Sequence, residues 1–142
     1  TLIRAMWKNA HTQFKAAMII FDQTKHDPAF LLSSAILASF SCELLLKSLL
    51  LHAGYSKKGH DLQELFETLP LNIKDIILKG VGNQISLAVF YEQLSQNKMI
   101  FENARYSHEK TCLEFNANFL CAFATTLDAI ATSLLEIPPS AL

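Results

Sequence analysis

The sequence predicts an all-α protein, an up-and-down helical bundle with two or three long helices plus short ones, and three observations predict it. Only four Gly and four Pro occur in 142 residues, and they cut the chain into helix-length segments. Within those segments apolar residues recur at three- and four-residue spacing. Alternating β-branched runs of the kind that signal a half-buried strand are missing.

Taken in order, the segment from Thr1 to Lys25 repeats Ile3, Met6, Trp7, Phe14, Ala17, Met18 and Phe21 on one stripe, with Lys8 and Lys15 outside it. It stops at His26-Asp27-Pro28, where Asp27 reads as an N-cap and Pro28 as the first helical residue of the next segment. That second helix runs from about Pro28 to Ala53 and ends at Gly54, a residue able to adopt the left-handed C-terminal conformation. It is apolar nearly all round: Ser34, Ser41 and Ser48 fall on one narrow line, Ser39, Glu43 and Lys47 on a roughly opposite one. A helix of that kind belongs at the centre of a bundle, sandwiched between others.

A polar loop, Tyr55 to Gly59, precedes a short amphipathic helix from His60 to Leu69, with Leu62, Leu65, Phe66 and Leu69 on one face and Pro70 closing it. A weak helix is expected over Asn72 to Lys79, ending at Gly80, and another over about Gln84 to Leu94 after Gly80-Val81-Gly82-Asn83. Ser95 to Asn103 is polar and reads as a loop. The last long helix starts between Ala104 and Thr111, carries Phe115, Phe119, Phe123, Leu127, Ile130 and Leu134, and stops at Pro138-Pro139. The phenylalanines, four residues apart, read as core. Residues 1–142 form a single domain with no repeat and no low-complexity segment.

Half of the chain, 51%, is apolar and 18% is charged, against a usual charged share of about 25%. So much apolar matter in a small domain predicts an extra buried face, most simply in a homodimer, and it excludes disorder. Twelve Lys plus Arg against thirteen Asp plus Glu leave a formal charge of −1, so no global field recruits polyanions and any such site must be local. Cys42, Cys112 and Cys121 form no CxxC pair and lie in apolar settings, which fits a reducing, cytoplasmic compartment. Pro28 to Cys42 and Phe115 to Leu127 lack charge but are shorter than the about 20 residues a bilayer crossing needs, so no membrane partner is expected. The amino terminus shows no signal peptide, and Thr1 in place of an initiator Met leaves room for a longer parent chain.

Three polar clusters can carry chemistry. Glu43 and Lys47, acid before base by four residues, have the favourable order for a helical ion pair and either satisfy a partly buried polar line or orient a ligand-binding side chain from another helix. Lys57, Lys58 and His60 flank Gly59 just before a helix N-terminus, where phosphate can be held, although an exposed Lys-rich turn with His60 as a cap explains the same residues. The densest cluster, 103–110, puts Arg105, His108 and Glu109 on one face if helical. Arg holds a phosphate with two donors and His moves protons near neutral pH, while Glu109 could equally occupy Arg105 in a salt bridge. His11, His26 and His52 are scattered, no two histidines have the i, i+4 spacing of a helical metal site, and no Gly-rich nucleotide loop occurs, so no metal and no cofactor is expected.

The joint occurrence of Glu43-x3-Lys47 inside an apolar helix, Gly59-His60-x-Leu62-x2-Leu65 after a short loop, and Arg105-Tyr106-x2-Glu109 resembles the HEPN domain family over about Phe30 to Leu134. The resemblance implies a helical bundle paired as a dimer across its long helices and functions around nucleotides or RNA, with Glu43, Lys47, His60, Arg105, Tyr106 and Glu109 as ligand-binding positions. It also implies an antitoxin or nucleotidyltransferase as a possible partner. Many HEPN proteins are similar to metal-independent endoribonucleases, in which an Arg followed four to six residues later by a His meets its twin across the dimer. Here His108 follows Arg105 after two residues and Glu109, an acid that repels phosphate, stands four beyond it. The Arg-Tyr-x2-Glu form thus looks more like family members without the nuclease motif. The leading expectation is a dimer that binds a nucleotide or RNA phosphate, or a protein partner, without necessarily cleaving anything. The alternatives are a toxin-like ribonuclease using Arg105 and His108, and a pure protein-interaction module.

Overall fold

The structure, a computed structural model, describes residues 1–105 and 114–142, with Arg105 described by its backbone alone. Seven α-helices occur among the described residues: α1 (Leu2–Gln23), α2 (Phe30–His52), α3 (Leu62–Thr68), α4 (Leu71–Gly82), α5 (Leu87–Asn97), α6 (Ile100–Arg105) and α7 (Ala117–Leu134), followed by a short 3-10 turn at Pro139–Ala141. The three long helices α1, α2 and α7 pack on one another, and the short ones close the remaining sides of α2 and α7.

α2 is the central helix, as its all-round apolarity requires. Ala35, Ala38, Cys42, Leu45, Leu46, Leu49 and Leu50 are fully buried, and so are Ser34, Ser41 and Ser48. Ser41 faces α1, where small residues let two helices come close: its Oγ donates to the Ala10 carbonyl at 2.9 Å, and Ala10 and Ala17 of α1 are fully buried. Ser34 and Ser48 donate back to Leu31 and Leu44 of their own helix, so the buried hydroxyls are satisfied. By length and composition α2 and α7 could each cross a membrane, yet 67% of the most apolar window of α2 is buried inside the bundle, its apolar surface being covered by neighbouring helices.

A second centre of packing joins α3, α5 and α7. Phe66 meets Phe90 edge-on at 5.4 Å, Phe90 meets Phe123 at 5.4 Å, and Phe119 stacks on Phe123 at 5.7 Å. Each fully buried ring contributes about 2–3 kcal/mol by removal from water, which anchors the short helices to the long one.

Several boundaries differ from those the sequence predicts. α2 starts at Phe30, two residues beyond Pro28, because Asp27 caps a preceding turn by accepting from the Ala29 N–H at 2.9 Å. α4 runs through Gly80 to Gly82: an added Cβ at Gly80 would lie 2.9 Å from Thr126 Cγ2, so this glycine serves a close helix approach and not a stop. Residues 95–103, expected as a loop, are largely helical. Leu94, Asn97 and Ile100 form one buried stripe, and Asn97 is admitted to it because its amide donates back to the Gln93 carbonyl at 2.8 Å. α7 begins at Ala117, where Asn116 Oδ1 accepts from the Phe119 N–H at 2.9 Å; Phe115 precedes the helix and is half-buried.

Candidate functional site

The site is built around a carboxylate in the wall of the central helix. Glu43 lies on the side of α2 that faces α3 and α6 and is 4% exposed. One turn later, Lys47 Nζ donates to Glu43 Oε2 at 3.1 Å. The other carboxylate oxygen, Oε1, meets His60 Nδ1 at 2.7 Å. An ionised carboxylate only accepts, so Nδ1 carries the ring proton, and among the described residues Nε2 has no hydrogen-bond partner.

His60 arrives there because of the loop that follows α2. Gly54 and Gly59 take φ of 89° and 105°, the left-handed region that a glycine enters without strain, and they fold residues 55–60 back along α2. The next residue, Asp61, caps α3 by accepting from the Glu64 N–H at 3.0 Å, and the Leu62 N–H donates to the Lys98 carbonyl at 3.1 Å. The second bond ties the start of α3 to the junction between α5 and α6. α6 then brings Phe101 against the histidine, with ring centroids 5.6 Å apart, and Phe101 in turn stacks on Phe40 of α2 at 5.8 Å. The imidazole is therefore held on one edge by Glu43 and packed at a tilt against Phe101, while 40% of its side chain stays exposed.

Glu43, Lys47 and His60, predicted from sequence as parts of one site, are brought together. Arg105 stands one turn beyond Phe101 on α6, which places its backbone on the face that carries that ring. Tyr106, His108, Glu109 and Cys112 lie outside the described residues. In the Lys-rich turn before the α3 N-terminus, His60 is not the cap. Asp61, an acid, occupies that terminus as its cap, and Lys57 is paired with Glu64 at 2.6 Å. Capping by Asp61 also frees His60 for Glu43.

Phe40 and Phe101 were missed as site residues, since an aromatic inside an apolar run gives no signal until its neighbours are known. A second polar pair was missed as well. His11 Nδ1 meets Asp128 Oδ1 at 2.8 Å between α1 and α7, the ring stacks on Trp7 at 4.9 Å, and Trp7 Nε1 donates to Thr132 Oγ1 at 3.3 Å. Its signal was available: Trp7 and His11 are one turn apart, and Asp128 is the sole charged residue in α7. Cys42 and Cys121, the thiols among the described residues, are both buried. Burial pushes the Cys42 thiol well up, with the nearby Cys121 adding to it, and burial pushes Cys121 up to about 11. Among the described residues no group of three His, Cys, Asp or Glu could hold a metal ion.

The family model of the HEPN domain matches residues 3–121 of the chain. No curated protein and no solved structure matches it.

Proposed function

The chain belongs to the HEPN domain family, and from that premise we propose that it binds the phosphate of a nucleotide or of single-stranded RNA at the Glu43–Lys47–His60 cluster, with Arg105 as the main cation. HEPN domains are often associated with nucleotides and RNA. The observation that carries the reading is the Glu43–His60 contact at 2.7 Å, which fixes the imidazole by Nδ1 and leaves Nε2 beside the helix that bears Arg105. Glu43 and Lys47 cancel in charge, so the pair orients the ring without adding to the local field. Binding strength then depends on Arg105, and the ring supplies a directed hydrogen bond. Phe101 and Phe40 offer a surface beside it on which a base can stack.

HEPN domains also commonly dimerise, and we infer that this chain does so. Leu2, Ile19 and Leu71 are each more than 60% exposed, at 69%, 66% and 69%, and support that reading as separate apolar contacts, since Leu2 and Ile19 stand about 25 Å apart along α1.

The test is fluorescence anisotropy with a labelled single-stranded RNA in EDTA across a salt series, with light scattering on the same samples. Salt-sensitive binding that Arg105→Ala weakens several-fold and His60→Ala weakens less is the expected result. Absence of salt-sensitive binding in the wild type removes the reading. RNA cleavage in the same tubes, abolished by His108→Ala, replaces it with the ribonuclease alternative.

A further inference from the structure

We propose that a cleft between α4, α5 and α7, sharing no residue with the Glu43 cluster, is a binding site for a small uncharged ligand that carries a carboxamide or lactam edge. The cleft encloses about 280 Å³, near the lower end of small-molecule sites at roughly 300 Å³. Phe119 and Phe123 line it from the core, packed on each other and on Phe90 and only 8% and 1% exposed, and Val89 of α5 forms one wall.

The polar groups define the chemistry. Among the described residues that line the cleft none carries a charge; the polar ones include the amides Gln84, Gln93 and Asn118. A charged ligand would lose its hydration there with no countercharge to replace it, whereas a neutral amide edge matches primary amides donor for acceptor. Gln93 is pinned for the task. Its Oε1 accepts from Asn116 Nδ2 at 3.0 Å and from Asn97 Nδ2 at 3.3 Å, which fixes the amide and leaves its NH₂ group as a donor. A second hollow that shares Gln93, Asn116 and Asn118 is lined by Glu114, whose charge disfavours an anionic ligand further. A donor held in place by buried Asn97 costs little ordering on binding, the condition under which a small ligand gains affinity.

Benzamide is the probe, with benzoate as its charged isostere, titrated into the full chain and followed by the side-chain amide resonances in ¹H–¹⁵N spectra. Benzamide should shift the Gln93 amide and saturate with a Kd at or below about 1 mM, and benzoate should bind at least about tenfold more weakly. Ala122→Trp, a half-buried position lining the cleft, should abolish the saturation with the helical circular dichroism unchanged. Val89→Trp, at an exposed position on α5, serves as a second blocking variant if the first fails to fold. Lack of saturation by benzamide, equal binding of benzoate, or benzamide binding that survives a folded blocking variant overturns the assignment.

Discussion

Replacing Glu43 by glutamine separates what the carboxylate does for the fold from what it does for the imidazole. Glutamine has the same shape, so its amide oxygen can keep the bond to Lys47, now at 3.1 Å, and its NH₂ can reach the histidine nitrogen now at 2.7 Å. An NH₂ group donates, however, so Nδ1 must become the acceptor and the ring proton must move to Nε2. Two charge-assisted bonds become weaker ones, each losing about 1 kcal/mol. Partial exposure, 19% for the Lys47 side chain and 40% for that of His60, lets water take up part of the loss. The expected cost is therefore about 1–2 kcal/mol in urea unfolding at constant m-value. Glu43→Leu, which leaves Lys47 without its partner, should cost about 3 kcal/mol. ¹⁵N-detected imidazole spectra at a pH where the ring is neutral should show the proton on Nδ1 in the wild type and on Nε2 in the glutamine variant. A cost below about 0.5 kcal/mol for Glu43→Gln, or the same tautomer in both proteins, refutes the argument that this carboxylate sets the ring.

Gly80→Ala should destabilise the protein by about 1 kcal/mol in spite of alanine's better helix propensity, because the new Cβ would sit 2.9 Å from Thr126 Cγ2 and a β-branched side chain yields poorly; Thr126→Ser removes that methyl and should turn the same change stabilising, as thermal melts of the four proteins would show. Asp128→Ala should cost about 2 kcal/mol by leaving a half-buried imidazole without its acceptor, and because Trp7 is the single tryptophan and stacks on His11, its fluorescence should shift in the folded state. In a Cys112→Ser background, Cys42 and Cys121 should resist a thiol reagent until the protein is unfolded, since burial raises both thiols in the native state. A thiol raised from 9.0 to about 11 keeps its proton in the folded protein after the unfolded chain has lost it. Stability therefore falls as pH rises through that window and is unaffected below it, a trend that urea midpoints across alkaline pH would reveal.

The long helices were legible because each carries a signal that survives without tertiary information. Pro28 and Gly54 bracket α2, and the serine lines announce a helix with neighbours on more than one side. Glu43 and Lys47 were legible for a related reason, since two charges in so apolar a helix must find partners. Local pattern misled where one buried contact outweighs several polar letters. Asn97 reads as loop, yet its amide bonds back into α5 and extends the helix into a stretch dense in Gln, Asn and Lys. Gly80 reads as a stop, although the reason for glycine there is Thr126, forty-six residues away. His11 reads as isolated because Asp128 lies on the far side of the core.

The same distinction bears on the site. Glu43 and Lys47 come from one helix at i, i+4 spacing, whereas the histidine is brought to them and enclosed by three separate contacts: the two left-handed glycines, the Leu62–Lys98 backbone bond and the Phe101 ring. The bond between Leu62 and Lys98 is the step that couples them, because it fixes the start of α3, and so His60, to the entry of α6, and so Phe101 and Arg105. A change that loosens this junction without touching any charged group should thus weaken the site. Phe101→Ala removes that ring and leaves Glu43, Lys47, His60 and Arg105 in the sequence. RNA affinity should fall several-fold in that variant while the salt slope stays that of the wild type, because the number of phosphate contacts is unchanged. A reduced slope with Phe101→Ala would instead mean that the ring positions the arginine, and the stacking role assigned to it would be wrong.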